Sequence, residues 1–320
     1  VSLGDTKVVN GTLTGDIMSR FNSVRAFTRD LYRIWITERP SQFAASLAYY
    51  GIFAFVPVVY IGLIVAGIFI DEIAAADQFY AQVADTLGTE AAQLLEDGLN
   101  RLSESSTEGT VLTSLISSLA LFSAASLMFF QLQHALNTIW KVPPPKRGET
   151  RAYLRKRLLA FVMVLGVGLF VILATLTNLV ITTFNSVFGL DIIEAGITFL
   201  SQLGLTTVAL ALIYKVLPDA EITWRDVLVG SVVTALLIAL GVKLLGIYLG
   251  TSNVTSALEA AGAVTVFLLT FYFVGQIFVF GAVFTRVYAS RFGSKIVPTD
   301  ESHTGDGIPV DATAQEQPPS

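Results

Sequence analysis

Six long apolar runs alternate with polar connections along this chain, at Phe43–Ile70, Val111–His134, Leu158–Asn185, Gly196–Ile213, Val227–Gly250 and Gly262–Thr285. Each is near or above the ~20 residues a helix needs to cross the hydrocarbon core of a bilayer. The pattern predicts an all-α, polytopic integral membrane protein of six transmembrane helices, and an even number of crossings puts both termini on one side. Two polar-side elements interrupt the runs. Over residues 20–40, Phe21, Val24, Phe27, Leu31, Ile34 and Trp35 recur at helical spacing among Arg20, Arg25, Arg29, Arg33 and Arg39, a basic amphipathic helix that Pro40 should end. Such a helix can lie in the membrane interface or serve only as a basic flank that orients the first span. Residues 72–105 read as a helical hairpin between the first and second spans, broken at Gly88 and Thr89, with Thr89 as a possible N-cap.

Charge then orients the chain. Residues 1–42, 135–157, 214–226 and 286–320 carry 18 of its 20 Lys/Arg. The alternate connections, 71–110, 186–195 and 251–261, hold only Arg101, and Lys243 falls inside a span. Basic residues near span ends stay on the cytoplasmic side during insertion, so both termini are expected in the cytoplasm and the hairpin outside it. A content of 53% hydrophobic and 14% charged residues leaves too little polar surface for a soluble globule of this length. The net charge of −5 comes mainly from loop 71–110 and from the tail. The domain reading is 1–42 as a cytoplasmic region with no signal-peptide core, 43–290 as the membrane domain, and 291–320 as a disordered acidic tail. Cysteine is absent, which excludes disulfides and thiolate chemistry.

No catalytic constellation is visible. The two histidines are His134, at a span end, and His303, in the tail, and no H-E-x-x-H, Walker A or G-x-S-x-G pattern occurs. Asp219, Glu221 and Asp226 cluster in sequence, but Lys215 and Arg225 beside them point to a salt-bridged turn rather than a metal site. No enzyme activity, metal or cofactor is expected. Polarity inside the spans is more informative. Lys243 is expensive in hydrocarbon unless it snorkels or finds a partner. It follows Ser231, Ala235 and Ala239 at four-residue steps and precedes Gly246 and Gly250, a row of small residues that suggests a bundle-facing position. Pro57 frees the carbonyl of Phe53 in the first span, and Gln276 lies near the middle of the sixth. Lys243, Gln276 and Pro57, with Tyr49 and Tyr50, are the candidate substrate-binding lining. Arg25, Arg29, Arg33 and Arg157 are the candidate contacts to lipid headgroups.

Several stretches together resemble one family. Ala44–Pro57 (AASLAYYGIFAFVP), Ala135–Val142 (ALNTIWKV) with the basic segment and Arg157 after it, Leu217–Gly230 (LPDAEITWRDVLVG), Gly241–Leu249 (GVKLLGIYL) and Ala261–Gly281 are similar to the YihY/BrkB family of prokaryotic inner-membrane proteins. The resemblance covers about residues 25–290. It implies six transmembrane helices with cytoplasmic termini. It also brings labels as virulence or serum-resistance factors, a link of one branch to lipopolysaccharide export, and an older label as a tRNA-processing ribonuclease that the missing nuclease constellation argues against. One departure is Val283, where the family often carries a carboxylate after Gly281-Ala282.

The expected function is that of a multi-pass prokaryotic inner-membrane protein that transports or exports a lipid or other amphiphile, with membrane lipids as partners and no nucleic acid. The alternative is a non-transporting scaffold of the envelope. No internal repeat or ATP site points to a known transport scheme, and the sequence leaves oligomeric state open.

Overall fold

In a computed structural model of the chain, the residues described are 24–68, 88–107, 111–142, 191–251, 262–293 and 297–298, with scattered positions within 76–84 and 162–181. They form helices α1 (24–38), α2 (Ser41–Gly67), α3 (Thr89–Thr107), α4 (Val111–Ile139), α5 (Asp191–Val216), α6 (Trp224–Thr251) and α7 (Gly262–Phe292). Two short strands, β1 (Ala220–Glu221) and β2 (Val297–Pro298), pair antiparallel with Ala220 opposite Pro298.

Four of these helices are long and apolar enough to cross a membrane: Ser41–Ile64, Gly196–Val216, Trp224–Tyr248 and Val264–Phe292. The second apolar run forms the 29-residue helix α4, which contains no charged side chain. The third run falls almost wholly outside the described residues, and its described positions within 162–181 are helical. The sixth run ends about two turns later than hydropathy suggests, because Arg286 and Arg291 continue the helix as its polar end.

α7 is the central helix. On one side Gly275 lets α2 approach so closely that an added Cβ would lie 3.2 Å from the Ala44 carbonyl, and Phe55 of α2 packs on Phe267 and Phe271. On the other side Gly241 of α6 sits against Phe273 and Ile277. α4 lies on α2 through a 2.7 Å hydrogen bond from Gln131 to Ser46 and through Phe43 against His134. α5 lies on α6. Small residues at these crossings are what membrane helices use in place of a hydrophobic driving force.

The two ends of the bundle differ. At the basal end, which carries α1 and the α5–α6 turn, one apolar cluster joins Leu136, Ile139 and Trp140 of α4, Tyr214 of α5, Val227 of α6 and Val279–Val287 of α7. At the distal end α3 covers α2 and α7 with Ala91, Leu95 and Leu99, and Gly98 rests on Val56. The break before α3 falls where the sequence places it, with one correction. Gly88, at φ +97°, supplies the carbonyl that Ala92 donates to, so it is the cap and Thr89 is the first helical residue. Of the hairpin's first arm only scattered positions are described, and these are helical, with Phe79, Tyr80 and Val83 in the distal cluster.

α1 is the helix that the spacing predicts, and its apolar face is docked on the protein. It runs antiparallel along the basal end of α7, with Phe27 against Phe284 and Phe292 and Trp35 against Phe280. Arg39, at φ +45°, and Pro40 then turn the chain into α2. The tail also starts later than composition suggests. Arg291 is still helical and bonded to Asp30, and Val297–Pro298 is tied to the α5–α6 turn. The rest of the tail lies outside the described residues.

The Asp30–Arg291 pair is the outermost tie of α1, with Nε donating to Asp30 at 3.0 Å. This hydrogen bond holds the Asp30 carboxyl below its ordinary value of 3.8; desolvation opposes the shift, and the charges of Arg291, Arg33 and Arg29 add to it. A carboxylate with a lowered folded pKa stabilises fully above its unfolded value and loses that contribution as pH falls through the folded one. The seating of α1 on α7 should therefore be unchanged near neutrality and weaken below about pH 3.8. Trp35 emission followed during acid titration should show a transition that Asp30→Asn lacks. Identical curves for both proteins would remove the pair from the docking.

Candidate functional site

Polar side chains buried at the basal end converge on the backbone of α7. Trp140 Nε1 donates to the Ala282 carbonyl at 3.0 Å, and the Tyr214 hydroxyl donates to the Phe278 carbonyl at 2.7 Å. The two rings meet edge to face, 6.2 Å apart. Beside them the α5–α6 turn is stitched to α4: Asn137 Nδ2 donates to the Asp219 carboxylate at 2.9 Å, and Asn137 Oδ1 accepts from the Asp219 backbone N–H at 2.9 Å. Arg286 completes the ring, donating to Glu38 of α1 at 2.7 Å and to the Ile139 carbonyl at the end of α4 at 2.8 Å.

Local structure explains why these groups stand where they do. α4 stops with Val142 N–H bonded to the Asn137 carbonyl and Lys141 N–H to that of Thr138, a Schellman ending with Lys141 at φ +58° in the usual glycine place. That ending fixes Asn137 and Trp140 at the helix rim. α6 starts at the Thr223 cap, whose carbonyl accepts from Asp226 and Val227, and Asp226 is buried in its first turn. Among the described ion pairs none joins Lys215 to the neighbouring acids. Lys215 donates to the Ile222 carbonyl and lies over the Trp224 ring, 5.9 Å from its centre.

α6 and α7 are joined by a reciprocal clasp. Thr234 bonds back to the Gly230 carbonyl at 2.7 Å, and Thr285 bonds back to the Gly281 carbonyl at 2.8 Å. Each threonine fills the space left by the other helix's glycine, since a Cβ on Gly281 would overlap Thr234 Oγ1 and one on Gly230 would overlap Thr285 Oγ1. Both threonines and Tyr214 are fully buried. Close to this clasp in sequence, Ser231 is also fully buried, and its hydroxyl has no hydrogen-bond partner among the described residues. Among those residues no three His, Cys, Asp or Glu side chains form a group able to hold a metal ion. Chemically, the arrangement is a set of donors closed onto helix carbonyls, a seal rather than a set of reactive groups.

The virulence factor BrkB family model matches residues 31–304. The chain belongs to the virulence factor BrkB family. It is similar to a UPF0761 membrane protein of Alcanivorax borkumensis, 29% identical over 274 residues, which are 84% of this chain and 62% of that protein. A UPF0761 membrane protein of Azotobacter vinelandii is 26% identical over 82% of this chain and 63% of its own length. One of Neisseria meningitidis serogroup B is 25% identical over 82% and 63%. The chain thus spans under two thirds of the length of these curated relatives. No solved structure matches.

In this BrkB-family membrane protein, two stretches that carry the resemblance, 135–142 and 217–230, meet through Asn137 and Asp219, while Trp140 and Gly230 of the same stretches pack on α7. The sequence signal for this meeting is confined to amide and indole groups at the ends of apolar runs.

The expected lining does not assemble. Lys243 is exposed on α6, on the face away from α7, along with Leu236, Leu240 and Ile247. The reason is geometric: each step of four residues turns a helix ~40° past a full turn, so a four-residue row drifts around it. Ser231 and Ala235 are buried, while Lys243, two steps beyond Ala235, has rotated out. Gln276 is half-buried at the level of Ala44, and Pro57 is half-buried near Phe267, roughly 20 Å further along α2 at ~1.5 Å per residue. Tyr49 is 58% exposed and stacks edge to face with Tyr50 and Phe53 on the outer surface of α2. Arg25, Arg29 and Arg33 are exposed on α1, and Arg157 lies outside the described residues. Val283 is fully buried in the basal core.

Gly281→Ala should lower stability by about 1–3 kcal/mol through overpacking, and Thr234→Ala in the same chain should recover part of the loss. Thermal unfolding in one detergent tests this, and additive losses in the double variant would exclude a direct clasp. Lys243→Met should leave stability unchanged or slightly raised, because a lipid-facing charge is replaced by an apolar group of similar length. A drop above about 1 kcal/mol in the same assay would place Lys243 in a buried contact.

Proposed function

We propose that this chain is a membrane transporter of an amphiphilic substrate and that the ring of Trp140, Tyr214, Asn137, Asp219 and Arg286 is its closed gate. The observation that carries the reading is the convergence of these five polar side chains, from the end of α4, from α5, from the α5–α6 turn and from α7, on one end of the bundle. A polar ring that closes one end of a helix bundle is the form expected of a shut gate in an alternating-access cycle. The seal's chemistry suits a gate, because its side-chain bonds to carbonyls exchange for bonds to water at a small net cost. The Lys/Arg asymmetry supports placing the basal end in the cytoplasm. The exposed apolar flanks of α2 and α6 suit a substrate that enters from lipid.

A scaffold without transport is the second reading. It is favoured by the close contacts at Gly241 and Gly275, which bring α6 and α2 tightly onto α7.

The chain has no cysteine, so a disulfide lock is clean. With Asn137→Cys and Asp219→Cys combined, oxidation should stop transfer of a fluorescent phosphatidylglycerol across proteoliposomes and reduction should restore it. Transfer that is equal in oxidised and reduced vesicles, or absent from the unsubstituted protein, would leave the scaffold reading in place.

A further inference from the structure

α1 sorts its charges by face. Both of its carboxylates turn inward: Asp30 accepts from Arg291, and Glu38 accepts from Arg286 and pairs with Lys141 at 3.1 Å. Phe27, Leu31, Ile34 and Trp35 lie on this inner side, packed into the basal core. At ~100° per residue the opposite face collects Arg25, Arg29, Tyr32, Arg33 and Ile36, and all five are exposed. None of the described ion pairs uses these arginines; Asp30 feels the charges of Arg29 and Arg33 but accepts its hydrogen bonds from Arg291.

Two physical demands meet on this face. Like charges one turn apart repel each other. Between them Tyr32 and Ile36 are 70% and 56% exposed, an unfavourable display toward water. Water suits the arginines and hydrocarbon suits Ile36. The headgroup layer of an anionic bilayer suits both, with phosphates against guanidinium groups and the apolar side chains at the acyl boundary. The location fits, because the face ends at Ile36, just before the Arg39–Pro40 turn into α2, whose candidate span begins at Ser41.

We infer that the outer face of α1 is a docking surface for anionic phospholipid headgroups, held by Arg25, Arg29 and Arg33 with Tyr32 and Ile36 as apolar anchors. Through the inward pairs of Asp30 and Glu38, lipid bound there also holds the basal end of α7. This surface stands independently of the transport reading, since a scaffold would carry it equally well.

The test is native mass spectrometry of the purified full chain titrated with dioleoylphosphatidylglycerol or dioleoylphosphatidylcholine. The unsubstituted protein should retain the anionic lipid several-fold more than the zwitterionic one, with the difference shrinking at high salt. Combined Arg25→Gln, Arg29→Gln and Arg33→Gln should bring the two lipids level, whereas the three Arg→Lys changes should keep most of the preference. Single Arg29→Gln and Arg33→Gln variants should each give partial loss and serve if the triple variant is unstable. A folded triple variant with undiminished phosphatidylglycerol retention would overturn the assignment. So would a preference that appears only after removal of residues 299–320, since the face would then belong to that acidic segment.

Discussion

The close approach of α6 and α7 at Gly230 and Gly281 is the constraint on which the other contacts depend. Two helices crossing at glycine expose their backbones to each other, and the facing threonines fill the remaining space while bonding to carbonyls of their own helices. In lipid such a contact gains no hydrophobic energy, so shape and satisfied polar groups must hold it. Once α6 is set this close, Tyr214 of α5 can reach the Phe278 carbonyl on the far side of Thr234. With α7 fixed, Trp140 finds Ala282 and Arg286 finds both the end of α4 and α1. Every element at the basal end is thus referenced to one stretch of α7, from Phe278 to Arg286.

That arrangement concentrates polar chemistry where the helices end rather than at mid-membrane. Buried polar groups stabilise a structure only when paired, and here the indole and phenol donors bond to carbonyls of α7 while Arg286 takes the Ile139 carbonyl at the end of α4. The closure combines single donors on carbonyls, Trp140 on Ala282 and Tyr214 on Phe278, with paired contacts, Asn137 on Asp219 and Arg286 on Glu38, around an apolar core.

The sequence made the helices legible because a bilayer demands long charge-free runs, and α2, α5, α6 and α7 begin or end within a few residues of those runs, apart from the two-turn extension of α7. The break at Gly88 was equally plain, since only glycine sits easily at φ +97°. The site was legible only in pieces. Asn137, Trp140 and Asp219 were seen as parts of separate stretches, and their meeting depends on tertiary geometry that no local pattern encodes. Lys243 stands on the exposed side of α6 for a definite reason: a four-residue row looks like a stripe on paper, but on a 3.6-residue helix it spirals off the interface it starts on. Gln276 and Pro57 were grouped by depth alone, and the antiparallel register of α2 on α7 puts them at different depths.

α1 shows how charge placement can be more informative than charge content. Read as a composition, residues 20–40 are a basic flank of the kind that merely retains a span end in the cytoplasm. Folded, residues 24–38 turn both acids toward α7 and keep Arg25, Arg29 and Arg33 outward, so the outer face is positive whatever the net charge. The inward pairs cannot be exchanged for outward ones without breaking the aromatic contacts of Phe27 and Trp35, which fix the rotation of the helix. The rotation set by packing therefore determines the electrostatics of the surface. Any force applied to the outer arginines is carried through Asp30 and Glu38 to the stretch of α7 that holds the seal.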